Sequence, residues 1–486
     1  MSKMKHPTIK MNVLLSALYQ VLSLLTPLIT APYIARVLGP EGVGISSFTT
    51  SIETYFAMFA ALGTASYGTR EIARVRNDED KRSQLFWEIE GLLIVTTAIC
   101  LIGWLIFVCL STTYKIYYLI LTITLASTLF DISWFFSGLE QFQYIVLRNT
   151  IFRILGILAL FIFVRDAGDT DIYIAISGLS SLLGGISMWA YLPRFVHRVP
   201  WRSLRILPHF RETLIYFIPT IATSVYTVLD KTLIGLITQS AEQNGYYDQA
   251  TKIIRMGETV SFGALNAVLG ARISYLFAEN RFEEIHQRIA KSIDLILFMS
   301  FLMVFGIIGT ASVFVPWFFG PGYNEVIPLM QVMSPIILII GVSNCLGWQY
   351  YTPAGLRALS AKFLIVGSVV NLFLNLLLIP KFSSMGAVVA SLAAELVITI
   401  LYVQFCGDYL TVKMLVTKGW RKLLAGAIFF LCIIQLPSVI KTNWLCLMGQ
   451  VIVAVLLYVV LLFMMKDQTV GYMIDLVRAR LSRFGK

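Results

Sequence analysis

Charged side chains stand inside apolar stretches of this chain that are long enough to cross a lipid bilayer. Glu53 and Glu395 lie near the centres of two such stretches, and Lys252 and Arg255 lie near the start of a third. A charge at the centre of a membrane-spanning helix costs about 2.5–3.5 kcal/mol on insertion scales, so it usually faces a water-filled cavity or an opposite charge. A purely structural bundle could avoid that cost. These residues therefore favour a transport function.

The third stretch carries a polar stripe. Asp248, Lys252, Arg255 and Thr259 follow one another at spacings of three or four residues, which place them on one face of a helix, and Glu258 lies at the edge of that face. The stripe indicates a helix that lines a cavity. The alternative is that Asp248 and Lys252 reach outward to water from a helix end. That alternative is weaker for Arg255, which lies deeper in the stretch.

The buried acids suggest that transport is coupled to an ion. Moving one elementary charge through 100 mV is worth about 2.3 kcal/mol, so proton or sodium entry at Glu53, Asp131 or Glu395 could drive the return of an empty carrier. Glu53 is preferred because of its depth, and its alternative role is structural pairing with a base on another helix. The adjacent Asp230 and Lys231 are further cavity candidates. No cofactor besides such an ion is expected.

Composition indicates an integral membrane protein built of helices. The chain of 486 residues is 57% hydrophobic and 13% charged, and its mean hydropathy is +0.78. A soluble protein of this length would carry far more charge. Apolar runs of about twenty residues, which can cross a bilayer core of about 30 Å, recur from end to end. We predict an all-α protein with about fourteen spans, at residues 13–38, 42–66, 85–110, 117–137, 151–164, 172–192, 214–237, 247–275, 293–319, 326–348, 363–379, 386–410, 423–436 and 445–465.

The basic residues alternate between loops, as expected of a multi-pass protein. Lys and Arg are concentrated after the second, sixth, eighth and twelfth spans, whereas the alternate loops are short and poor in base. Under the positive-inside rule, both termini are then cytoplasmic. The net charge of +11 is mostly this topological bias, so nucleic-acid binding is not expected. The tail at 473–484 is predicted to be a basic amphipathic helix on the inner leaflet.

No group of residues in the sequence suggests catalysis or metal binding. The four histidines lie in the N-terminal tail or in predicted cytoplasmic loops, and the six cysteines are scattered without metal-like spacing. No Gly-Lys-Ser/Thr phosphate loop is present. The first apolar run is too long for a cleavable signal peptide. We therefore predict a protein that is not an enzyme and has no disulfide framework.

The two halves of the chain echo each other weakly. The distance from Gly44 to the Gly-Thr-Arg at 68–70 nearly equals the distance from Gly245 to the Gly-Ala-Arg at 270–272. Each stretch covers one span followed by a basic segment. We predict two pseudo-symmetric six-helix lobes, followed by two extra helices and the tail; the three segments are residues 1–200, 201–411 and 412–486.

Prolines occupy matching helices of the two predicted lobes. Pro27 and Pro32 lie in the first span and Pro219 lies in the seventh. Internal repeats with Pro-interrupted helices are typical of alternating-access transporters, and a proline can kink a helix. These three residues are therefore hinge candidates. The alternative is that proline is simply common in membrane helices.

Two short motifs carry a resemblance to a known family. The sequence YIARVLGPEGVG at 33–44, followed by GTREIAR at 68–74, resembles the N-terminal signature of bacterial Wzx-type polysaccharide flippases. The residues DK at 230–231 and GYY at 245–247 resemble the corresponding part of the second half. These flippases belong to the multidrug/oligosaccharidyl-lipid/polysaccharide exporter (MOP) superfamily. The resemblance implies a two-lobed helical fold in the bacterial cytoplasmic membrane.

The resemblance also implies a cargo. It predicts alternating-access translocation of an undecaprenyl-diphosphate-linked oligosaccharide repeat unit to the outer leaflet, for surface polysaccharide synthesis. Membrane lipids are the surrounding partners, and a polysaccharide polymerase and chain-length machinery are candidate protein partners. A diphosphate calls for cations, and Arg can pair phosphate oxygens in a bidentate way. The expected phosphate contacts are Arg36, Lys231, Lys252 and Arg255, although interfacial anchoring is an alternative for Arg36.

Two rival functions stay open at this point. A cation-coupled multidrug extruder of the same fold would need acids to capture cationic drugs, whereas the stripe at 248–259 also contains Lys252 and Arg255. A membrane polysaccharide polymerase would be expected to have a sizeable outward loop for its chemistry, and every predicted outward loop is short. The sequence therefore favours a carrier for an anionic lipid-linked cargo.

Overall fold

The computed structural model describes residues 9–263, 273, 275–277, 279–440 and 442–472; for residues 9–21, 24, 218–220 and 222–227 it describes the backbone alone. Every regular element in this part of the chain is a helix. The all-α prediction is confirmed. The predicted tail helix at 473–484 falls outside the described residues.

By its contacts the chain forms two compact units, Met1–Gly245 and Tyr246–Lys486. The predicted lobe boundaries near residues 200 and 411 remain predictions, because a division by contacts does not test an internal repeat. The described helices of the first unit are α1 Ile9–Ala61, α2 Thr64–Val75, α3 Glu79–Leu110, α4 Lys115–Ser127, α5 Ser133–Gly138, α6 Phe142–Phe163, α7 Thr170–Trp189 and α8 Ile206–Thr238, and α9 Ala241–Glu258 begins there. Those of the second unit are the rest of α9, α10 Phe282–Phe318, α11 Val326–Met333, α12 Ile336–Leu346, α13 Arg357–Phe405, α14 Val412–Ile433, α15 Leu436–Val439 and α16 Asn443–Met464.

Two of the long helices contain a break that separates two predicted spans. In α1 the break is at Gly39, whose φ of 67° and ψ of 179° suit glycine because it lacks a Cβ. In α13 the break is at Ser383, three residues after Pro380. The hinge candidates Pro27 and Pro32 lie within helical backbone of α1. Pro219 lies within α8, but its side chain is outside the described set, so all three hinge roles stay predictions.

The two glycines that mark corresponding positions of the repeat lie against each other. A Cβ added at Gly44 would overlap the Ala241 carbonyl and lie 2.9 Å from the Gly245 nitrogen. A Cβ added at Gly245 would in turn overlap the Pro40 carbonyl. The start of the second part of α1 and the start of α9 therefore pack backbone to backbone, which only glycine permits.

The outer surfaces of the helices are apolar. Nine helical segments of the described chain are long and apolar enough to span a membrane. In α6, for example, Leu147, Leu155 and Leu158 are each more than half exposed. Large continuous apolar surfaces of this kind suit lipid rather than water. The protein is a multi-pass membrane protein.

Described helices cover thirteen of the fourteen predicted spans. The remaining span, at 247–275, runs into residues outside the described part of the chain. The number of fourteen stays a prediction.

Within the second unit, the C-terminal helices α14 and α16 pack on α10 around a buried ion cluster. Phe298 of α10, Phe429 of α14 and Tyr458 of α16 belong to one buried apolar cluster. At its edge, the Lys422 ammonium is fully buried and lies 2.9 Å from one carboxylate oxygen of Asp294 and 2.9 Å from one of Asp467. The predicted spans at 386–410 and 423–436 leave Lys422 in the basic loop between them. The structure instead uses it to join α14 to α10.

Candidate functional site: a basic cavity in the first unit

The first unit contains a partly open cavity of about 400 Å³ whose lining is a mixture of polar and apolar residues. We call it the basic cavity. Its charged lining residues are Asp131, Arg148 and Arg153, and its neutral polar lining includes Thr64, Ser127, Thr128, Ser133, Asn149, Ser180 and Ser181. The volume lies within the range of small-molecule sites in proteins. A cavity of this size with charged and hydroxyl side chains in its lining can accommodate a polar group.

Arg148 forms an ion pair and a hydrogen bond at the basic cavity. One of its terminal nitrogens lies 3.0 Å from a carboxylate oxygen of Asp131, and its Nε donates to the Asn149 side-chain oxygen at 2.9 Å. The Arg148 side chain is 15% exposed and that of Asp131 is 48% exposed. The ion pair therefore lies where the cavity meets the outside, and an incoming anion would compete with Asp131 for the guanidinium.

Arg153 is placed five residues further along the same helix, α6. Its guanidinium donates to the Ser23 hydroxyl of α1, which ties α6 to the first part of α1. The cavity lining thus holds two cations and one carboxylate. This excess of positive charge in a partly enclosed, low-dielectric place attracts anions. Guanidinium groups suit phosphate in particular because their donors match pairs of its oxygens.

Irregular backbone forms one wall of the basic cavity. α4 ends at Ser127, a 3₁₀ turn covers Thr128–Phe130, and α5 starts only at Ser133. The Phe130 carbonyl accepts a hydrogen bond from the Trp189 indole at 3.1 Å. The Asp131 carboxylate accepts one from the Ser133 N–H at 3.1 Å. Non-helical backbone at membrane depth is tolerated where it lines a cavity.

The other predicted site residues of the first unit lie outside the lining of the basic cavity. Arg36 is exposed on α1. Glu53 is 3% exposed, and its Oε1 has no hydrogen-bond partner among the described residues. Asp230 is buried near Tyr55, and the Lys231 carbonyl accepts from the Asn244 side chain at 2.7 Å. Among the predicted site residues whose side chains the structure describes, Asp131 alone lines the basic cavity.

Near Glu53, a polar seam joins α1 to α8. The Ser51 and Thr232 hydroxyls lie 2.9 Å apart, and the Tyr55 hydroxyl lies 3.4 Å from that of Thr232. Hydrogen bonds between spanning helices hold them in register. The buried polar residues of this seam therefore have a structural use.

In the second unit the predicted polar stripe forms part of α9. The Lys252 ammonium lies 2.6 Å from the Asp248 carboxylate, one helical turn away. Arg255 is exposed and Glu258 is half-buried. Glu395, on α13, is 6% exposed and lies near enough to Glu258 to act on it electrostatically. The structure thus brings Asp248 and Lys252 together as a pair, and the phosphate role of Lys252 and Arg255 stays a prediction.

Sequence reasoning missed both cations of the basic cavity. Arg153 lies inside the predicted span at 151–164 and is, like Glu53, a charge within an apolar run, so the sequence does contain a signal for it. Arg148 precedes that span and gives no such signal. Its importance depends on the break between α4 and α5, which brings Asp131 to it.

Comparison with known proteins gives the family. The family model described as "Polysaccharide biosynthesis protein" matches residues 9–277, more than half of the chain. The chain is 26% identical over 403 residues to a protein of Escherichia coli (strain K12) named "Putative O-antigen transporter", which covers 82% of this chain and 96% of that protein.

Solved structures show the same fold. "Lipid II flippase MurJ, inward closed conformation" superposes with a TM-score of 0.75 at 14% identity, covering 94% of this chain and 99% of that one. An inward-facing multidrug resistance transporter of the MATE family superposes with a TM-score of 0.58 at 12% identity, covering 84% and 94%. At these identities the likeness establishes the fold alone. The match to the family model over residues 9–277 shows that the chain belongs to the polysaccharide biosynthesis protein family.

Proposed function

We propose that this protein is a flippase for lipid-linked oligosaccharide. In this proposal it moves undecaprenyl-diphosphate-linked repeat units from the cytoplasmic to the outer leaflet of the bacterial cytoplasmic membrane, with both termini in the cytoplasm. Its family membership, its likeness to a protein named as an O-antigen transporter, and the fold shared with a lipid II flippase support this function. The observation that carries most weight is the pair of arginines in the basic cavity.

The chemistry of such a cargo explains a cationic, polar cavity. Each unsatisfied hydroxyl that enters an apolar medium costs several kcal/mol, about 4–8 on the water-to-cyclohexane scale, so a sugar head needs a polar path. Its diphosphate needs cations. Arg148 and Arg153 are proposed to contact the diphosphate inside the first unit. Arg36, Lys231, Lys252 and Arg255 remain proposed contacts along the path.

The remaining site residues have proposed roles in the transport cycle. Glu53, Asp131, Asp230, Asp248, Glu258 and Glu395 are candidates for cavity lining or ion coupling, and Pro27, Pro32 and Pro219 are candidate hinges of alternating access. A polymerase and chain-length machinery would take up the product. Membrane lipids would hold the cargo's hydrocarbon tail.

Gene deletion with the neighbouring genes intact tests the proposed function. We expect surface polysaccharide to be lost and lipid-linked repeat units to accumulate. The wild-type gene and an Arg202→Ala variant should restore the polysaccharide, because Arg202 is exposed and lies away from the basic cavity. Arg153→Ala should not restore it, although the protein should reach normal abundance in the membrane. Unchanged surface polysaccharide after deletion would contradict the proposal.

A cation-coupled multidrug extruder is the second candidate, and the shared fold with a multidrug transporter favours it. The two arginines of the basic cavity oppose it, because they repel cationic drugs. Efflux of ethidium from cells distinguishes the two functions. We expect the deletion strain and its parent to accumulate ethidium equally. Greater accumulation in the deletion strain, with unchanged polysaccharide, would establish the extruder.

A further inference from the structure

A second acid lies close enough to Asp131 of the basic cavity to interact with it electrostatically. Glu90 of α3 is fully buried, with 0% of the residue exposed. Both of its carboxylate oxygens are buried and have no hydrogen-bond partner among the described residues. Such an arrangement is rare, because buried polar groups in proteins are nearly always hydrogen-bonded. The carboxyl group therefore calls for an explanation.

The helix places Glu90 beside the cavity. Phe86, Glu90 and Leu93 follow at spacings of four and three residues, so they share one face of α3. Leu93 lines the basic cavity. The Phe86 ring stacks on Trp134, another lining residue, with 5.6 Å between ring centroids. Along this face Glu90 therefore lies between Leu93, which lines the cavity, and Phe86, which packs against a lining residue.

Glu88, two residues earlier on the same helix, is an acid with several hydrogen-bond partners. One Glu88 oxygen lies 2.9 Å from His209 Nε2. The other accepts from the Arg205 N–H and from the Gln84 side chain, each at 3.0 Å. A carboxylate with donors of this kind is stabilised in its charged form. Glu90 has no such donors in the described structure.

The charged groups around Glu90 favour its neutral form. An isolated carboxylate in a dry, apolar place pays a large desolvation cost and takes up a proton instead. Asp131 lies close enough to Glu90 to interact with it electrostatically, and two neighbouring carboxylates oppose each other's ionisation. Arg148 partly neutralises Asp131 through their ion pair. Helices packed against α3 add further titratable side chains, which include Glu53 of α1, Tyr67 of α2, Tyr118 of α4 and His209 of α8.

We propose that Glu90 is a reversible proton-binding site linked to anion binding in the basic cavity. An anion that binds Arg148 competes with Asp131 and leaves the Asp131 charge uncompensated. That charge favours the protonated form of Glu90. Because such linkage is reciprocal, protonation of Glu90 favours anion binding. The link to an anion rests on the proposed function, whereas the proton site itself rests on the surroundings of Glu90 alone.

Infrared spectroscopy of the purified protein tests the proton site directly, because a protonated carboxyl group has its own carbonyl stretch. At neutral pH we expect this band in the wild type and a weaker band in Glu90→Gln. The matched control Glu88→Gln, two residues away, should leave the band unchanged because Glu88 is held ionised. A band of equal strength in wild type and Glu90→Gln would overturn the proton site.

A second variant keeps the test valid if Glu90→Gln fails to fold. Asp131 is half exposed, so Asp131→Asn should fold. It removes the negative charge that opposes ionisation of Glu90, so we expect the carboxyl band to disappear at lower pH than in wild type. Identical pH dependence in the two proteins would overturn the role of Asp131.

Inorganic diphosphate, used as the probe anion, tests the linkage. With diphosphate present, the carboxyl band of the wild type should persist to higher pH. A Glu90 band that diphosphate does not shift would overturn the linkage and count against the anion-binding cavity of the proposed function. Absence of the Glu90 band would overturn the proton site alone. The two failures are therefore distinguishable.

Discussion

At the residue scale, the burial of Lys422 shows how strongly single charges are held in this protein. Its ammonium lies between Asp294 and Asp467 and also donates to the Lys418 carbonyl at 3.0 Å. The Thr469 hydroxyl donates to the second oxygen of Asp294 at 2.7 Å. A buried ion cluster of this kind is costly to break, because removal of one partner leaves uncompensated charge.

Lys422→Met should therefore destabilise the protein strongly. We expect a loss of about 3–5 kcal/mol in the free energy of unfolding, the range found when one partner of a buried pair is removed. Thermal unfolding in detergent measures it. Lys413→Met, at an exposed position of the same helix, is the control and should change little.

Neutralising the whole cluster separates charge from packing. Asp294→Asn and Asp467→Asn, added to Lys422→Met, should recover much of the lost stability, since no uncompensated buried charge remains. If the triple variant were as unstable as the single one, the loss would come from packing and not from charge.

The burial and the partners of single charged residues were the features that the sequence predicted least well. The sequence predicts that bases and histidines near the ends of spans belong to loops. In the structure, however, Lys422 is buried, and the His209 ring contacts both Glu88 and Tyr67. Spacing along one helix predicts which side chains share a face. It does not predict which neighbouring helix supplies the partner, because that depends on the packing of distant segments.

At the element scale, the backbone contact between α1 and α9 depends on two glycines. Gly44→Ala would place a Cβ against the Ala241 carbonyl, which has no side-chain freedom to move aside. Overpacking of this kind costs about 1–3 kcal/mol. We expect a lower unfolding temperature and reduced abundance in the membrane.

Gly306→Ala is the matched control for that prediction. Gly306 lies inside α10, and a Cβ there would meet nothing within 4 Å. Replacing a helical glycine by alanine should be neutral or stabilising by about 0.5–1 kcal/mol. Equal behaviour of the two variants would show that the α1–α9 contact is looser than described.

The elements themselves were largely predictable from hydropathy. A membrane helix must satisfy all of its backbone groups internally and cover about 30 Å with apolar side chains, so its length and polarity are readable in the sequence. The glycine and proline at positions 39 and 40 also indicated a break in α1. The break between α4 and α5 was not anticipated, because residues 117–137 read as one continuous span and no proline interrupts them.

At the scale of the whole molecule, charged residues form two groups, one in the loops and one inside the units. Loops rich in Lys and Arg follow alternate spans, which sets the predicted orientation in the membrane. A smaller set of charges lies inside the units: an anion-attracting pair in the basic cavity, and the acids Glu53 and Glu90 without described partners for their buried oxygens. The positions of Lys and Arg along the sequence predicted the loop charges. The charges inside the units could not be predicted in this way, because their surroundings depend on how the helices pack.

In the proposed function, the arginines of the basic cavity bind an anionic lipid-linked cargo while it crosses the membrane. The direct measurement is the fraction of lipid-linked repeat units that an impermeant lectin, specific for the strain's own polysaccharide, can reach on intact spheroplasts. With the wild-type protein, most units should be reachable. With the Arg148→Ala/Arg153→Ala variant the fraction should fall at least about tenfold, because each lost charge-assisted hydrogen bond is worth about 1.5–3 kcal/mol. Equal fractions in the two strains, at equal protein abundance, would show that Arg148 and Arg153 are not needed to move the cargo.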